Sequence, residues 1–291
     1  MSKFESWRAN CRKPEFIVFV IFWMQFSNAT SHSSDHFDRE SAAVVLAAGK
    51  GTRMNSDLPK VMHLVAGRPI LDWVVDAVVA AGVGKVVVVV GYGQELVRES
   101  MADRDNVFFA EQSEQLGTGH ATLCSESAVG AADDVLVLAG DGPLVRPSVL
   151  VRLLATHREA SAVASMATAR IDDPTGYGRI VRDLNGDFSA IVEQKNASEH
   201  QLRISEINPS YYCFDRKALF AALQALRPDD TGGEYYLTDV PGILRAQGHR
   251  VPLMDEVPQE DVLSINTLQQ LAKVDEILRH RLTESSTGGQ S

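Results

Sequence analysis

The chain of 291 residues is 45% hydrophobic and 23% charged, a composition typical of a globular protein with a large buried core. Its formal net charge of −10 argues against broad electrostatic attachment to nucleic acid, although a nucleotide can still bind where positive side chains are concentrated. The three cysteines lack paired spacing and the histidines are scattered, so the sequence predicts neither a disulfide framework nor a zinc site.

Residues 1–40 differ from the rest of the chain. Basic residues precede an apolar run at 16–26, and a polar tract follows, which is the order of a secretory signal. The run is too short to span a bilayer comfortably, so we expect no stable membrane span. Three interpretations stay open for this extension: a start codon assigned too far upstream, with translation beginning at Met24 or later; a disordered or loosely membrane-associated segment; and a true signal.

From Ala42 the chain alternates between predicted strands and helices. The apolar run 43–46 predicts a buried strand, and the consecutive valines of 85–90 predict a strand buried on both faces, as in a parallel sheet. Further strands are predicted at 107–110 and 135–139, and helices at 70–81, 94–101, 119–128 and 147–157. This alternation predicts a doubly wound α/β sheet, in which ligands bind at the carboxyl ends of the strands.

The second half of the chain has a different pattern. A strand is predicted at 162–170, and Asn185-Gly186 predicts a hairpin between 180–182 and 188–193. Additional strands are predicted at 211–214 and 251–254, helices at 217–226, 238–247 and 266–282, and a disordered polar tail at 283–291. No linker divides 42–282, so we expect a mixed, mainly parallel sheet that carries a small, partly antiparallel lobe.

A glycine-rich turn follows the first predicted strand. Gly49 and Gly51 allow a sharp bend and close approach of a ligand, and Lys50, Arg53 and Lys60 lie nearby in the chain. Main-chain N–H groups and cations in such a turn can bind a polyphosphate. The alternative is an ordinary strand-to-helix turn with solvated cations.

Asp141 follows the apolar strand 135–139 and lies between two glycines. A carboxylate in this position can bind Mg²⁺, which takes one or two protein oxygens together with phosphate oxygens. The alternative is an aspartate that caps the turn before Pro143. Asn266, at a predicted helix start, is either an N-cap or a neutral metal ligand opposite Asp141.

Two other groups of polar residues are candidates for ligand binding. The segment 111–120 is rich in Gln and Gly, and amide side chains can read the edge of a base, although a plain polar loop is the alternative. In the second lobe, Gly178, Glu193 and Asn208 can line a pocket for sugar hydroxyls or an amide, or they can be surface turn residues.

Several motifs occur in an order that resembles the uridylyltransferase domain of bacterial bifunctional N-acetylglucosamine-1-phosphate uridylyltransferases/acetyltransferases, which are sugar-nucleotide pyrophosphorylases. The resemblance covers about residues 42–282. The motifs are Leu-Ala-Ala-Gly-Lys-Gly-Thr-Arg-Met at 46–54 with Leu-Pro-Lys at 58–60, Glu-Gln-Leu-Gly-Thr-Gly-His-Ala at 114–121, Gly-Asp-x-Pro-Leu at 140–144, Pro-Thr-Gly-Tyr-Gly-Arg-Ile at 174–180, Ile-Val-Glu at 191–193, Glu-Ile-Asn at 206–208 and Gly-Glu-Tyr-Tyr-Leu-Thr-Asp at 233–239.

The resemblance implies a Rossmann-like nucleotidyltransferase fold and a role for each candidate residue. It implies Mg²⁺ on Asp141 and Asn266, and Arg53 and Lys60 as catalytic cations facing the triphosphate. The implied nucleotide-binding residues are Leu46, Ala47, Ala48, Gly49, Gln112, Gln115, Gly117 and Thr118, and the implied sugar-binding residues are Gly178, Glu193 and Asn208.

The implied reaction is cytoplasmic and supplies a cell-wall precursor. UTP and N-acetylglucosamine 1-phosphate would give UDP-N-acetylglucosamine and pyrophosphate by in-line, Mg²⁺-assisted attack on the α-phosphorus. The attacking phosphate is already an anion and needs no general base, so catalysis rests on positioning and charge neutralisation. The alternatives are the same chemistry on another sugar 1-phosphate or nucleoside triphosphate, and a catalytically silent subunit that binds nucleotide sugars.

The sequence departs from this family at two points. The bifunctional proteins continue into a left-handed β-helix, whereas this sequence ends after one predicted helix and a short tail, so we expect neither acetyltransferase activity nor trimerisation through that domain. The oligomeric state stays open. Relatives commonly have Asn-Thr-Gly or Asn-Ser-Gly where this chain has Asn208-Pro209-Ser210, and because proline restricts the residue before it, this change bears on sugar specificity.

Overall fold

The computed structural model describes residues 39–230 and 232–287. The interpretations of residues 1–38 and 288–291 lie outside the described residues. In chain order the strands are β1 (Ser41–Leu46), β2 (Leu64–Val65), β3 (Arg68–Pro69), β4 (Lys85–Val90), β5 (Val107–Glu111), β6 (Asp134–Ala139), β7 (Ala164–Ala167), β8 (Ala169–Arg170), β9 (Gly178–Arg182), β10 (Phe188–Val192), β11 (Glu206–Asn208), β12 (Tyr211–Asp215) and β13 (Leu253–Met254).

The described helices alternate with these strands. They are α1 (Ile70–Ala80), α2 (Gln94–Ser100), α3 (Thr118–Cys124), α4 (Glu126–Val129), α5 (Pro147–Glu159), α6 (Glu199–Leu202), α7 (Arg216–Gln224), α8 (Val240–Ala246) and α9 (Leu268–Thr287). Within the described ranges no helix is both long and apolar enough to cross a membrane.

The central sheet has seven strands in the order β13-β7-β12-β6-β1-β4-β5. Strand β12 runs antiparallel to both of its neighbours, and the other neighbouring pairs are parallel. The predicted doubly wound, mixed and mainly parallel sheet is therefore confirmed. The chain winds outwards from β1 in both directions, so β1 and β6 flank the crevice in which sheets of this kind bind ligands.

Both faces of the central sheet are covered by helices. The five valines of β4 are fully buried, as expected for a strand with apolar neighbours on both sides. Side chains of α1, α2 and α5 pack on one face, and side chains of α3, α4, α7 and α8 pack on the other. Burial of these two apolar layers supplies the main favourable free energy of folding and fixes the positions of the strand ends.

A second sheet of four antiparallel strands, in the order β10-β9-β11-β8, forms the predicted small lobe. The strand predicted at 162–170 divides at Thr168: β7 pairs in the central sheet, whereas β8 pairs with β11 in the lobe. Because β7 runs in the same direction as β6, the lobe continues beyond the carboxyl edge of the central sheet. It therefore lies over the edge that carries the candidate ligand site.

A buried carboxylate connects the strands of this lobe. Glu206 accepts hydrogen bonds from Arg182 at 2.6 Å and from the Thr168 hydroxyl at 2.9 Å. Burial by itself would raise the pKa of Glu206, but the bonds from Arg182 and Thr168 outweigh this effect and hold the pKa below its usual value. The ion pair thus fastens β9 and β11 to the point where the chain passes from one sheet to the other.

Other elements also differ from the predictions. The helix predicted at 119–128 breaks at Ser125, whose buried hydroxyl donates to the Thr122 carbonyl at 2.6 Å and competes with the helical hydrogen bonds. Strand β11 was not predicted, because it is only three residues long and polar at both ends. The last helix begins at Leu268 and continues to Thr287, so residues 283–287 are helical.

His157 of α5 makes the stability of the fold dependent on pH. Its side chain is buried, its Nδ1 lies 3.1 Å from the Ser165 hydroxyl, and its Nε2 lies 3.7 Å from Asp134. Burial lowers the pKa of His157 to about 4. In the unfolded chain a histidine titrates near pH ~6.5, so between these two values the unfolded state binds one more proton and stability falls as the pH falls.

We therefore predict that His157→Gln will flatten the pH dependence of stability. Between pH 6 and 4.5 the free energy of unfolding should fall less steeply in this variant than in the parent protein. The difference in slope should be up to about 1.4 kcal/mol per pH unit. Urea unfolding at several pH values measures this slope, with the exposed His280→Gln as the matched control. Equal slopes for the parent protein and His157→Gln would contradict the prediction.

Candidate active site

The loops that follow β1 and β6 leave the sheet side by side. The Gly140 N–H donates to the Leu46 carbonyl at 2.9 Å. A Cβ on Gly140 would lie 2.7 Å from that carbonyl oxygen, so only glycine allows this approach. The glycine-rich turn and Asp141 therefore begin at neighbouring points of one sheet edge.

The glycine-rich turn brings two cations together. Gly51 has a φ of 66°, which favours glycine, and a Cβ there would lie 2.7 Å from the Lys60 Cβ. This contact joins the 3₁₀ turn that carries Arg53 (Thr52–Met54) to the 3₁₀ turn that begins with Lys60 (Lys60–Met62). Before them, Ala47 and Ala48 are buried, Leu46 is half-buried, and Gly49 and Lys50 are exposed.

The two cations meet Asp141 and Asn266 in one polar cluster. The Lys60 ammonium donates to the Asp141 carboxylate and, at 3.0 Å, to the Asn266 Oδ1. The Arg53 guanidinium also donates to the Asn266 Oδ1, at 3.0 Å. The side chains of Lys60 and Asp141 are 18% and 15% exposed, so the cluster lies at a partly sheltered surface. We call these four residues the charge centre.

Asn266 is not the N-cap of the last helix, which was one of its two predicted roles. The Thr267 hydroxyl accepts the Gln270 N–H at 3.2 Å and fills that role. Instead, the Asn266 N–H donates to the Gln270 side chain at 2.8 Å, and its side-chain amide donates to the Ser264 hydroxyl at 3.1 Å. These bonds leave Oδ1 directed toward Lys60 and Arg53.

A buried ion pair, which the sequence pattern did not reveal, holds the segment before Asn266. Asp261 is fully buried and pairs with Arg146, at 2.7 Å, and with Arg281 of α9. A few residues later, the Ile265 N–H donates to the Asp141 carbonyl at 3.0 Å. No local signal marks Asp261, because its partners lie far from it in the chain.

The Gln-rich loop after β5 contains several hydrogen bonds between its own residues. Gln112 is 3% exposed; its amide donates to the Gly117 carbonyl at 3.0 Å and lies 3.1 Å from the His120 Nδ1. Gln115 is exposed, and its amide donates to the Gln112 carbonyl at 3.3 Å. The Gln112 side chain therefore shapes the loop, while Gln115 stays accessible to a ligand.

The Gly-Glu-Tyr-Tyr motif docks onto this loop from the far end of the chain. The Tyr235 N–H donates to the Leu116 carbonyl at 2.8 Å, and the Tyr235 carbonyl accepts the Gly119 N–H at 2.7 Å. The Leu237 N–H donates to the Thr118 hydroxyl at 3.0 Å. The Thr118 hydroxyl is thus already an acceptor within the protein.

The three predicted sugar-binding residues lie together in the lobe. Asn208 is opposite Gly178 in the register of β11 and β9. A Cβ on Gly178 would lie 3.5 Å from a carboxylate oxygen of Glu193. Burial, reinforced by the charge of Asp239, raises the pKa of Glu193, although a hydrogen bond from Thr238 partly opposes this.

Tyr177 connects this lobe to the charge centre. Its hydroxyl donates to the Val262 carbonyl at 3.1 Å, four residues before Asn266. Burial raises the pKa of Tyr177, and the charge of Asp141 adds to the effect. Tyr177 belongs to a motif seen in the sequence but was not predicted as a site residue.

The charge centre together with the polar residues of the lobe suits a ligand that has an anionic part and a polar, uncharged part. Two oxygens, from Asp141 and Asn266, converge on one cationic nitrogen, so the same pair can hold a divalent metal ion. Among the described residues no group of three or more His, Cys, Asp or Glu side chains could hold a metal ion.

Comparison with known proteins gives a consistent result. A family model described as the MobA-like NTP transferase domain matches residues 43–245. The chain is 49% identical over 241 residues to the bifunctional protein GlmU of Heliobacterium modesticaldum, a match that covers 82% of this chain and 52% of that protein. It is 48% identical over 244 residues to the bifunctional protein GlmU of Pelotomaculum thermopropionicum, with coverages of 84% and 53%.

The chain thus spans about half the length of the curated relatives that it matches. Among solved structures, a UDP-glucose pyrophosphorylase complexed with UDP-glucose superposes with a TM-score of 0.68 at 18% identity, covering 83% of this chain and 99% of that one. At this identity the likeness concerns the fold.

We predict that Gly140→Ala will disturb the contact between the β1 and β6 loops. The new methyl group would meet the Leu46 carbonyl, which belongs to a packed strand end, and we expect a loss of about 1–3 kcal/mol in the free energy of unfolding. Gly142→Ala is the matched control, because its Cβ would meet only the Tyr211 hydroxyl at 3.5 Å. Urea unfolding of both variants checks the difference, and equal stabilities would contradict it.

Proposed function

Because the chain belongs to the family of MobA-like NTP transferase domains, we propose that it transfers the uridylyl group of UTP to N-acetylglucosamine 1-phosphate. The products are UDP-N-acetylglucosamine and pyrophosphate. The charge centre carries this proposal: Lys60, Arg53, Asp141 and Asn266 converge at the carboxyl edge, between the glycine-rich turn and a lobe with clustered polar groups. The identity of 42–49% to bifunctional GlmU proteins supports the choice of substrates.

In this proposal the nucleotide lies along the loops that follow β1 and β5. The main chain of Leu46–Gly49 and of Gly117 contacts the uridine, and the exposed amide of Gln115 reads the uracil edge. Gln112 and Thr118 act indirectly, because their side chains already bond within the protein and hold the loop in shape. The triphosphate extends toward Arg53 and Lys60.

Asp141 and Asn266 are the residues that would hold Mg²⁺. Their oxygens already converge on the Lys60 ammonium, so a cation fits between them. When bound, Mg²⁺ would neutralise phosphate charge and orient the phosphate oxygens. Segment 259–266 supports this pair through Asp261 and through the bond from Ile265 to the Asp141 carbonyl.

The reaction then needs positioning more than proton transfer. A phosphate oxygen of the sugar phosphate attacks the α-phosphorus of UTP, and the bond to the β-phosphate oxygen breaks, so pyrophosphate leaves with the electron pair. Arg53 and Lys60 stabilise the negative charge that develops on the transferred and leaving groups. No general base is required, because the attacking oxygen is already ionised.

The lobe provides the sugar subsite in this proposal. Glu193 accepts hydrogen bonds from sugar hydroxyls, Asn208 presents its amide to the sugar, and Gly178, which has no side chain, lets Ile191 and the Glu193 carboxylate pack beside β9. The lobe lies above the charge centre, so a sugar bound there would point its phosphate toward Asp141. UTP and sugar phosphates are made in the cytoplasm, and we place the reaction there, as a step toward a cell-wall precursor.

Two alternatives are distinguished by one assay. We expect pyrophosphate release to be fastest with UTP and N-acetylglucosamine 1-phosphate, in a panel of UTP, dTTP, CTP and GTP with several sugar 1-phosphates. The same rate with sugars that lack the N-acetyl group would overturn the substrate assignment. Nucleotide-sugar binding without any pyrophosphate release would indicate a silent binding subunit, which the presence of Arg53, Lys60 and Asp141 disfavours.

We predict that Asp141→Ala will remove the metal-dependent part of both binding and catalysis. The loss of a ligand to the metal should lower kcat/KM by at least ~10³-fold, equivalent to the several kcal/mol that a bound metal contributes to transition-state charge stabilisation. The increase in melting temperature caused by UTP should no longer depend on Mg²⁺. Asp103→Ala, at an exposed carboxylate near the opposite edge of the sheet, is the control and should change neither quantity.

A further inference from the structure

One hydrogen bond crosses from the lobe to the central sheet beside the proposed sugar subsite. Asn208 ends β11 in the lobe, and four residues later Tyr212 lies in β12 of the central sheet. The Asn208 side-chain amide donates to the Tyr212 hydroxyl, and both residues are buried. This bond ties the amide to an inner strand of the seven-stranded sheet.

The other end of the same amide is also fixed. The Ser210 N–H donates to the Asn208 Oδ1 at 3.0 Å, so the oxygen must face Ser210 and the nitrogen must face Tyr212. A side-chain amide has two N–H donors and two acceptor lone pairs. One N–H and one lone pair of Asn208 therefore remain for a ligand, and their directions are set by the two bonds within the protein.

Tyr212 is held in place by its own surroundings. Its ring stacks on Phe214, with 5.7 Å between centroids and 21° between planes, and the main chain of β12 is paired to β6 and β7. Burial raises the pKa of Tyr212, so its hydroxyl stays protonated and uncharged, and the charge of Glu193 adds to this effect.

The turn between Asn208 and Tyr212 supports the hydrogen bonds of the Asn208 amide. Ser210 adopts a φ of 65°, in the left-handed region that favours glycine. This strained conformation directs the Ser210 N–H at Asn208. In this chain Ser210 thus takes, without being glycine, the main-chain conformation that orients the Asn208 amide.

We propose that Tyr212 is a positioning residue, which holds the Asn208 amide in the direction that binds the sugar phosphate. This inference rests on the sugar-binding role of Asn208 in the proposed function. Tyr212 does not touch the substrate; it acts by accepting the Asn208 N–H. Its removal should weaken sugar binding and leave nucleotide binding unchanged.

The test is a double-mutant cycle with Tyr212→Phe and Asn208→Ala in the full chain. Phenylalanine keeps the stack on Phe214 and removes only the hydroxyl. We expect Tyr212→Phe to raise the KM for N-acetylglucosamine 1-phosphate by about 5–10-fold, the worth of one hydrogen bond, and to leave the KM for UTP within about twofold. In the Asn208→Ala background the same change should cause no further rise.

A matched control separates positioning from a general loss of structure. Ser165→Ala removes a fully buried hydroxyl from β7, next to β12, without touching Asn208. This variant should leave both KM values within about twofold. Melting temperatures of all variants show that the comparisons are made on folded protein.

Four outcomes would overturn the inference. An unchanged KM for the sugar phosphate in Tyr212→Phe, when Asn208→Ala raises it, would remove the positioning role and leave the proposed sugar subsite intact. Equal rises in both KM values, or effects of Tyr212→Phe and Asn208→Ala that simply add, would indicate a structural role only. No effect of Asn208→Ala on the sugar KM would overturn the sugar subsite itself, and with it this inference.

Discussion

One ammonium group, that of Lys60, joins three segments that are far apart in the chain. It follows the first strand, Asp141 follows the sixth, and Asn266 precedes the last helix, yet all three meet within hydrogen-bonding distance. The positive ammonium attracts the Asp141 carboxylate and the partly negative Asn266 oxygen, so it holds the three segments together. The glycine-rich turn, the β6 loop and the last helix are therefore arranged around this contact.

The sheet makes that contact possible because it fixes where each loop begins. Strands β1 and β6 are neighbours, and Gly140 permits their carboxyl ends to approach within a hydrogen bond. The division of a continuous strand at Thr168 then carries the lobe over the same edge. A nucleotide and a sugar phosphate can thus lie on either side of one charge centre, as the proposed reaction requires.

The comparisons with known proteins bear differently on the sheet with its helices and on the loops at its carboxyl edge. A solved structure with only 18% identity shares the fold with a TM-score of 0.68, because many sequences can supply two apolar faces on a sheet. The bifunctional GlmU proteins match this chain more closely in sequence, at 42–49% identity. The fold alone would not have indicated a sugar nucleotide; the residues at its carboxyl edge support that choice.

The sequence by itself determined the fold class and most elements, because these depend on local patterns. Its motifs and their resemblance to a known family supplied the candidate site residues, whose binding roles stay predictions. Valines at 85–90 indicate a buried strand, and a carboxylate directly after an apolar strand must lie at the sheet edge. Only the tertiary structure decided how the polar groups are used. The Gln112 amide turns inward, Thr267 rather than Asn266 caps the last helix, and Asp261 and Tyr212 bind partners outside any local pattern. Hydrogen bonds depend on direction and on neighbours brought together by folding, and a linear pattern contains neither.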